Sequence, residues 1–340
     1  MAGMVQPVVT VLLGDPRLPD RSKPGGRFTP DDLDQVARLK SALDELGEYR
    51  FEYRDDHERL LDDLRLRPPE FALNFCDLGF RNNAALELHV ASYLEMLGIP
   101  YSGCGPVPLG LCYDKGLVRA AAQSIGVPVP REILLLPGDA LPRVEFPAFI
   151  KPNRGDGSVG ITSASVVQER AGAEAYIAQL RETLPGDAII VQEFLSGDEY
   201  GVGIIGNPGG GFTLLPVLEV DYSALDASLP RLLDYSSKTD PESPYWNDIR
   251  FRQARLDEAV QQQMRDWCQA LFARLGLRDY ARFDFRADAG GAIRLMEINP
   301  NPAWCWDGKL AHMAELEGLR HSGMLRLIIE AARRRCFGNS

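Results

Sequence analysis

Histidine is scarce in this chain, and its cysteines show no pairing pattern. The four histidines, at 57, 89, 312 and 321, are scattered, so no imidazole-rich metal or catalytic cluster is written locally. His312 alone lies near a stretch of later interest, and a lone histidine on a helix is more often structural than catalytic. Six cysteines, at 76, 104, 112, 268, 305 and 336, form no CxxC pair and no CxxC/HxxxH spacing, which excludes a zinc ribbon. They are expected to be free thiols of a reducing compartment. There is no run of about 18 apolar residues, so no membrane span is expected. The first residues lack a basic segment followed by an apolar core long enough for export, and a cytoplasmic location is expected. Positive charge is also short: the net charge is −11, which argues against nucleic acid as a partner because phosphate backbones need a basic surface. A local cationic site for a nucleotide is not excluded.

What remains is an ordinary soluble composition, 45% hydrophobic and 25% charged, over 340 residues, which leaves room for two or three domains. Residues 8–13 are an apolar run ending in Gly14, a buried-strand pattern. Thr29 followed by Pro30, Asp31 and Asp32 reads as a capped helix start, and Leu33, Val36, Leu39, Leu43 and Leu46 continue it to Gly47. Further strands are expected at 49–53 and 71–75 and a helix at 84–97, so an open α/β sheet should occupy the first hundred or so residues. A helix over 114–125 ends in a Gly-Val-Pro-Val-Pro turn, a plausible hinge. Strands at 149–151 and 161–167 should flank a glycine-rich loop, followed by a helix over 173–184 and strands at 189–192, 200–205 and 212–220. Residues 223–252 are polar, proline-rich and unperiodic, the character of a lid or binding loop. A helical stripe from Leu256 to Leu275, strands at 281–286 and 292–298 and a helix over 322–335 complete the pattern.

Three segments carry chemistry. Lys151-Pro-Asn-Arg-Gly-Asp-Gly-Ser-Val-Gly160 places glycines, a serine and a lysine after a strand, the ingredients of a phosphate cradle. It is neither a Walker loop nor a GxGxxG fingerprint. On its own it reads equally well as a tight hairpin turn. Arg282-Phe-Asp284 and Glu297-Ile-Asn299 lie on neighbouring expected strands, and the period of two puts each pair on one face. Two carboxylates and an amide oxygen would suit Mg²⁺ together with substrate phosphates, and the arginine would steady a transferring phosphoryl group. A solvated face with a salt bridge is the plainer alternative. The third segment, Gln192-Glu-Phe-Leu-Ser-Gly-Asp-Glu199, would be a surface turn if it stood alone.

Taken in order, these pieces resemble the ATP-grasp superfamily, and within it the D-alanine–D-alanine ligase family. The resemblance runs from Ile99-Pro-Tyr-Ser-Gly-Cys-Gly105 through Asp114-Lys115, Phe146-Pro-Ala-Phe-Ile-Lys-Pro152, Gly157-Ser-Val-Gly160, Val191–Glu199, Asp234-Tyr-Ser-Ser-Lys238 and Arg282-Phe-Asp284 to Glu297-Ile-Asn-Pro300. It implies a mixed α/β fold of three-domain ATP-grasp architecture with an N-terminal open α/β domain. The units expected are residues 1–106 (substrate side), 107–188 (central, with the glycine-rich loop) and 189–340 (catalytic). It further implies that Lys115 and Lys151 contact nucleotide phosphates with the Gly157 loop, and that Gln192, Glu193 and Leu195 flank the adenine. Glu199 then matches the ribose acid and Lys238 the lysine of a mobile loop. Asp284, Glu297 and Asn299 match ligands of Mg²⁺ or Mn²⁺. Arg282, Lys238 and Ser158 fall in catalytic positions. The implied reaction is γ-phosphoryl transfer from ATP to a carboxylate, then attack by an amine, a chemistry of positioning and charge stabilisation.

The departures concern the substrates. The family's N-terminal glutamate is missing from Gly14-Asp-Pro-Arg-Leu-Pro-Asp20, and the family's paired serines become Gly157-Ser158. The loop tyrosine becomes Thr239, and the stretch after Asn299 reads Pro-Asn-Pro-Ala-Trp-Cys-Trp-Asp-Gly-Lys309. Lys309, next to Gly308, aligns with a serine that binds the acceptor's carboxylate. Trp304 and Trp306 would wall a pocket or pack beneath the last helix. The expected partners are amino acids or small peptide-like substrates, and a homodimer is the analogy the family offers. The rival readings are a non-catalytic or regulatory ATP-binding grasp protein, and a carboxylate kinase or thiol ligase on the same fold.

Overall fold

A computed structural model describes residues 6–20, 23–155 and 157–338. Three sheets organise the chain. The first is parallel, with β1 (Val8–Leu12) between β2 (Arg50–Arg54) and β3 (Ala72–Asn74). The helices around it are α1 (Pro30–Asp44), α2 (Leu60–Leu66) and α3 (Glu87–Met96). The start read for α1 is the one observed: the Thr29 side chain accepts from the Asp32 N–H, and the Asp32 side chain accepts from the Thr29 N–H. The helix expected from residue 84 begins at Glu87, because Ala84–Leu86 form a tighter 3₁₀ turn.

Two helices then run in sequence, α4 (Pro106–Tyr113) and α5 (Lys115–Ser124). The sequence reading missed α4, whose prolines at 106 and 108 suit a first turn where backbone N–H groups need no intrahelical partner. Asp114 caps α5 by accepting from the Leu117 N–H. The second sheet is antiparallel and contains β4 (Glu132–Leu135), β5 (Ala148–Pro152), β6 (Val166–Val167) and, after α6 (Arg170–Thr183), β7 (Ile189–Glu193), in the order β4-β7-β5-β6. It therefore extends to Glu193, past the boundary expected at residue 188. Alternate residues Ala148, Ile150, Ile189 and Val191 join Tyr176, Ile177 and Leu180 of α6 in one core. The period of two leaves Glu132, Phe149, Lys151 and Gln192 on the opposite face, with Gln192 paired to Glu132 on one side and Phe149 on the other.

The third sheet has six antiparallel strands: β8 (Glu199–Asn207), β9 (Gly211–Leu214), β10 (Leu218–Asp221), β11 (Arg250–Gln253), β12 (Tyr280–Ala287) and β13 (Ile293–Asn299). The single strand expected over 212–220 is two, interrupted at Pro216, which has no N–H for the ladder, although the Leu215 N–H still reaches the Gly203 carbonyl at 3.0 Å. The long polar segment before β11 holds two short helices, α7 (Ser236–Thr239) and α8 (Pro244–Asn247). Its Leu225, Leu232, Tyr245 and Ile249 bury against Val220 and Tyr222. Helix α9 (Glu258–Leu275) covers one face of the sheet through Met264, Cys268 and Leu271 against Phe283 and Phe285. Helices α10 (Lys309–Leu316) and α11 (His321–Phe337) cover the other, in a core shared with Val9 and Val11 of β1 and with Leu13 just after it. Among the described residues, no helix is long and apolar enough to cross a membrane.

Glycines on β8 set how closely α10 approaches. A Cβ at Gly203 would fall 2.7 Å from Leu310 Cδ1 and 2.9 Å from Met313 Sδ, and one at Gly201 would fall 2.6 Å from Met313 Cε. Gly203→Val is expected to overpack this seam at a cost of about 1–3 kcal/mol. Urea unfolding should show a lower midpoint with an unchanged slope.

Candidate active site

Two faces described above look at each other. From the second sheet come Lys151, Phe149 and Gln192; from α5 come Lys115 and Arg119, one helical turn apart; from β12 and β13 come Arg282, Asp284, Arg286, Glu297 and Asn299. Arg119 ties the parts together. It is 2% exposed, pairs with Glu132 of β4, and its Nη1 donates to the Met296 carbonyl of β13 at 3.3 Å.

Lys151 is 3% exposed. Burial strips its ammonium of water, and with Arg119 and Lys115 close by this lowers its pKa to about 7, although Glu297 attracts the charge. Lys151 and Glu297 thus lie within electrostatic reach of each other despite their distance in the chain. Lys115 Nζ donates to the Gly155 carbonyl at 2.5 Å, anchoring the near end of the glycine-rich loop. At the far end Ser158 adopts φ +64°, in the left-handed region, and its hydroxyl donates to the Leu233 carbonyl at 3.2 Å. The Tyr235 N–H donates to the Ile161 carbonyl at 3.1 Å. The glycine-rich loop therefore rests on the long segment that carries Lys238, as a docked loop rather than an isolated hairpin turn.

On the acidic side, Asp284 lies opposite Glu297 and Arg282 opposite Asn299 across the β12–β13 pair. A bulge between these strands makes this possible. Ile293 and Leu295 face the α9 core, and a regular strand would send Glu297 the same way; the extra residue at Met296 shifts the phase, so Ile298 points into the core and Glu297 and Asn299 away from it. Arg282 grips Asp284 with Nε at 2.9 Å from Oδ1 and Nη2 at 3.0 Å from Oδ2, and Asn299 Nδ2 donates to Oδ2 at 3.3 Å. Burial opposes ionisation of Asp284, but the Arg282 and Lys309 charges bring its pKa down to about 2. Glu199, on β8, accepts from the Tyr222 hydroxyl at 2.8 Å and pairs with Arg286 at 3.5 Å and Lys309 at 3.1 Å. Burial raises its pKa, and Lys309 and Arg286 more than reverse that.

The remaining expected positions are less uniform. Gln192 is 1% exposed, with neither amide atom hydrogen-bonded to protein, and Leu195 is buried. Glu193 is held by Arg131, whose backbone N–H and Nε donate to it at 3.0 and 2.9 Å. Trp304 packs: its indole N–H donates to the Phe75 carbonyl at 3.0 Å and its ring stacks on Phe75, which corrects the pocket-wall alternative. Trp306 lies outside beneath Arg38. Gly308 caps α10, and the Lys309 ammonium that was expected at the acceptor's carboxylate is engaged by acids of the protein itself. Asp15, in the stretch that lacks the family's glutamate, is occupied by Arg17 and by the His57 N–H. The His312 ring lies tilted against Phe251, in keeping with a structural role.

The family described as D-ala D-ala ligase C-terminus matches residues 138–330. The chain belongs to that family. The D-alanine–D-alanine ligase of Actinobacillus pleuropneumoniae is 25% identical over 308 residues, covering 88% of this chain and 92% of that protein. The vancomycin C-type resistance protein of Enterococcus casseliflavus is 28% identical over 253 residues, covering 72% of this chain and 67% of that protein. The fold agrees with the D-alanine–D-alanine ligase of Bacillus anthracis complexed with ATP, at a TM-score of 0.73 and 20% identity over 98% of this chain and 99% of that one. This D-ala D-ala ligase family member is thus an ATP-dependent ligase that forms a C–N bond, on the three-domain ATP-grasp architecture.

Sequence reasoning missed Arg119, Glu132, Arg286 and Tyr222 in this family member. Two of them were within reach: Arg119 lies four residues after Lys115 on one helix face, and Arg286 continues the alternation of Arg282 and Asp284. Glu132 and Tyr222 carry no local signal.

Lys151 has a consequence for stability. Its folded pKa of about 7 lies below its ordinary value of 10.5, so between those pH values the unfolded chain binds a proton that the native chain does not. Stability should therefore rise with pH through that window, and the cost of the buried ammonium is fully present below it. Comparison of denaturation midpoints from pH 7 to 10 should show that slope reduced in Lys151→Met.

Proposed function

We propose that this ligase uses ATP to convert an amino-acid or peptide-like carboxylate into an acyl phosphate, and then joins it to the amine of a second such substrate in the cytoplasm. The observation that carries the reading is the convergence of a desolvated Lys151 with Lys115 and Arg119 on only two nearby acids, Glu132 and Glu297. Buried cations in excess of their local acids call for an anion, and a triphosphate supplies it. In this reading Lys115, Lys151 and the Gly157–Ser158 turn hold the phosphates, and Lys238 is brought in by its loop. The orphaned Gln192 amide, with Glu193 and Leu195, lies on the base side, and Glu199 toward the ribose. Arg282 steadies the charge of the transferring group.

Asp284, Glu297 and Asn299 offer oxygen donors from paired strands and fit a hard divalent ion, Mg²⁺ or Mn²⁺. Among the described residues no three His, Cys, Asp or Glu side chains cluster to hold a metal, so the nucleotide phosphates would complete the coordination. When bound, such an ion neutralises phosphate charge. In this reading the substrate pocket is altered relative to the family, and the engagement of Asp15 by Arg17 and of Lys309 by Glu199 supports it.

A pairwise screen of L- and D-amino acids with ATP, reading phosphate release and product mass, tests this directly. Release should require both a carboxylate and an amine, and the product should contain an amide. Lys151→Met and Arg282→Ala should each lower the rate on the order of 10²–10³-fold. No release across the panel, with ATP binding unchanged by Glu297→Gln, would point instead to a regulatory nucleotide-binding protein.

A further inference from the structure

Strand β13 is the edge of its sheet: among the described residues, β12 lies on one side and no strand on the other. An edge strand leaves outward backbone groups without a ladder partner, and a bulge disrupts the ladder further. At the bulge of β13 the missing partners come from the central unit. The Leu295 N–H donates to the Pro128 carbonyl at 2.8 Å, in the Gly-Val-Pro-Val-Pro turn that follows α5. The Met296 carbonyl accepts from Arg119 Nη1 at 3.3 Å. Arg119 is nearly sealed from water and is braced from the other side by Glu132 of β4, while Lys151 repels it. Replacing a buried ion pair by apolar groups often costs a protein nothing, so stability alone is a poor reason for this one. What the guanidinium touches is the better reason, because Met296 is the extra residue that turns Glu297 toward the cleft.

We propose that Arg119 is a positioning residue: by holding the Met296 carbonyl it fixes the bulge, and through the bulge it keeps Glu297 in line with Asp284 and Asn299 as a metal ligand. This presupposes the metal reading of those residues and adds the group that aims one of them. The same helix carries Lys115, whose ammonium holds Gly155 of the glycine-rich loop, so α5 sets the phosphate wall and the metal wall against each other as one piece. The sign of the effect separates this role from plain electrostatics. Acting through its field alone, Arg119 would repel a divalent ion, and its removal would tighten metal binding. Acting through the bulge, its removal loosens metal binding, as loss of the groups behind metal ligands does.

The test is a Mn²⁺ titration of the full chain, saturated with a non-hydrolysable ATP analogue, with the free ion read by electron paramagnetic resonance. Arg119→Met should bind Mn²⁺ at least about tenfold more weakly than the wild type. The double variant Arg119→Met/Glu132→Gln removes a positive and a negative charge together and strands no carboxylate. It should show the same loss, and it decides the matter if the single variant fails to fold. Glu132→Gln alone keeps the Met296 contact and should stay within about threefold of the wild type. Mn²⁺ affinity unchanged or raised without Arg119 would overturn the proposal, and so would a loss in Glu132→Gln as large as that of the double variant. Glu297→Gln serves as the separate control. Mn²⁺ binding that ignores this change would defeat the metal reading itself, whereas a loss there with none in the Arg119 variants would defeat only the role of Arg119.

Discussion

The site depends on a lysine that burial leaves without water. An ammonium in that condition either loses its proton or recruits negative charge, and the fold offers it little of its own. Glu297 is one source, and it comes from a different sheet. Arg119 and Lys115 add repulsion rather than relief. The second and third sheets are thus held with an excess of positive potential on one wall and a row of acids on the other, Arg119 bridging them through Glu132 and the Met296 carbonyl. A polyanion between those walls removes the imbalance. The chemistry proposed for this protein is a way of using a deficit that the packing creates.

Orientation on the acidic wall comes from an irregularity. Without the bulge at Met296, the residues that face the cleft from β13 would be turned into the α9 core. The strand pattern read from sequence put Glu297 and Asn299 on a common face, which is correct, but alternation from Leu295 would have assigned them to the wrong side. Only the register with β12 resolves it. Sheet defects of this kind commonly re-aim side chains beside active sites.

Most of the architecture was legible because its signals are local. The capped start of α1, the alternation in β5 and β7, and the stripe of α9 each follow from a period or a cap written within a dozen residues. The motif order likewise identified the family before any contact was known. What could not be read is what depends on distant partners. Trp304 is a packing residue because the Phe75 carbonyl accepts its N–H, and Lys309 is tied to acids on β8 and β12; nothing near either residue in sequence says so. Helix α4 was hidden by prolines that usually mark the end of helices rather than their first turn.

The contact between Ser158 and Leu233, with its neighbour between Tyr235 and Ile161, joins two segments that are far apart in sequence. Neither can shift without breaking bonds to the other. The glycine-rich turn and the segment that carries Lys238 thereby form one two-ply layer. A lesion in either ply will register in both, and the roles of the glycine-rich turn and of the lysine helix will not separate cleanly under mutation.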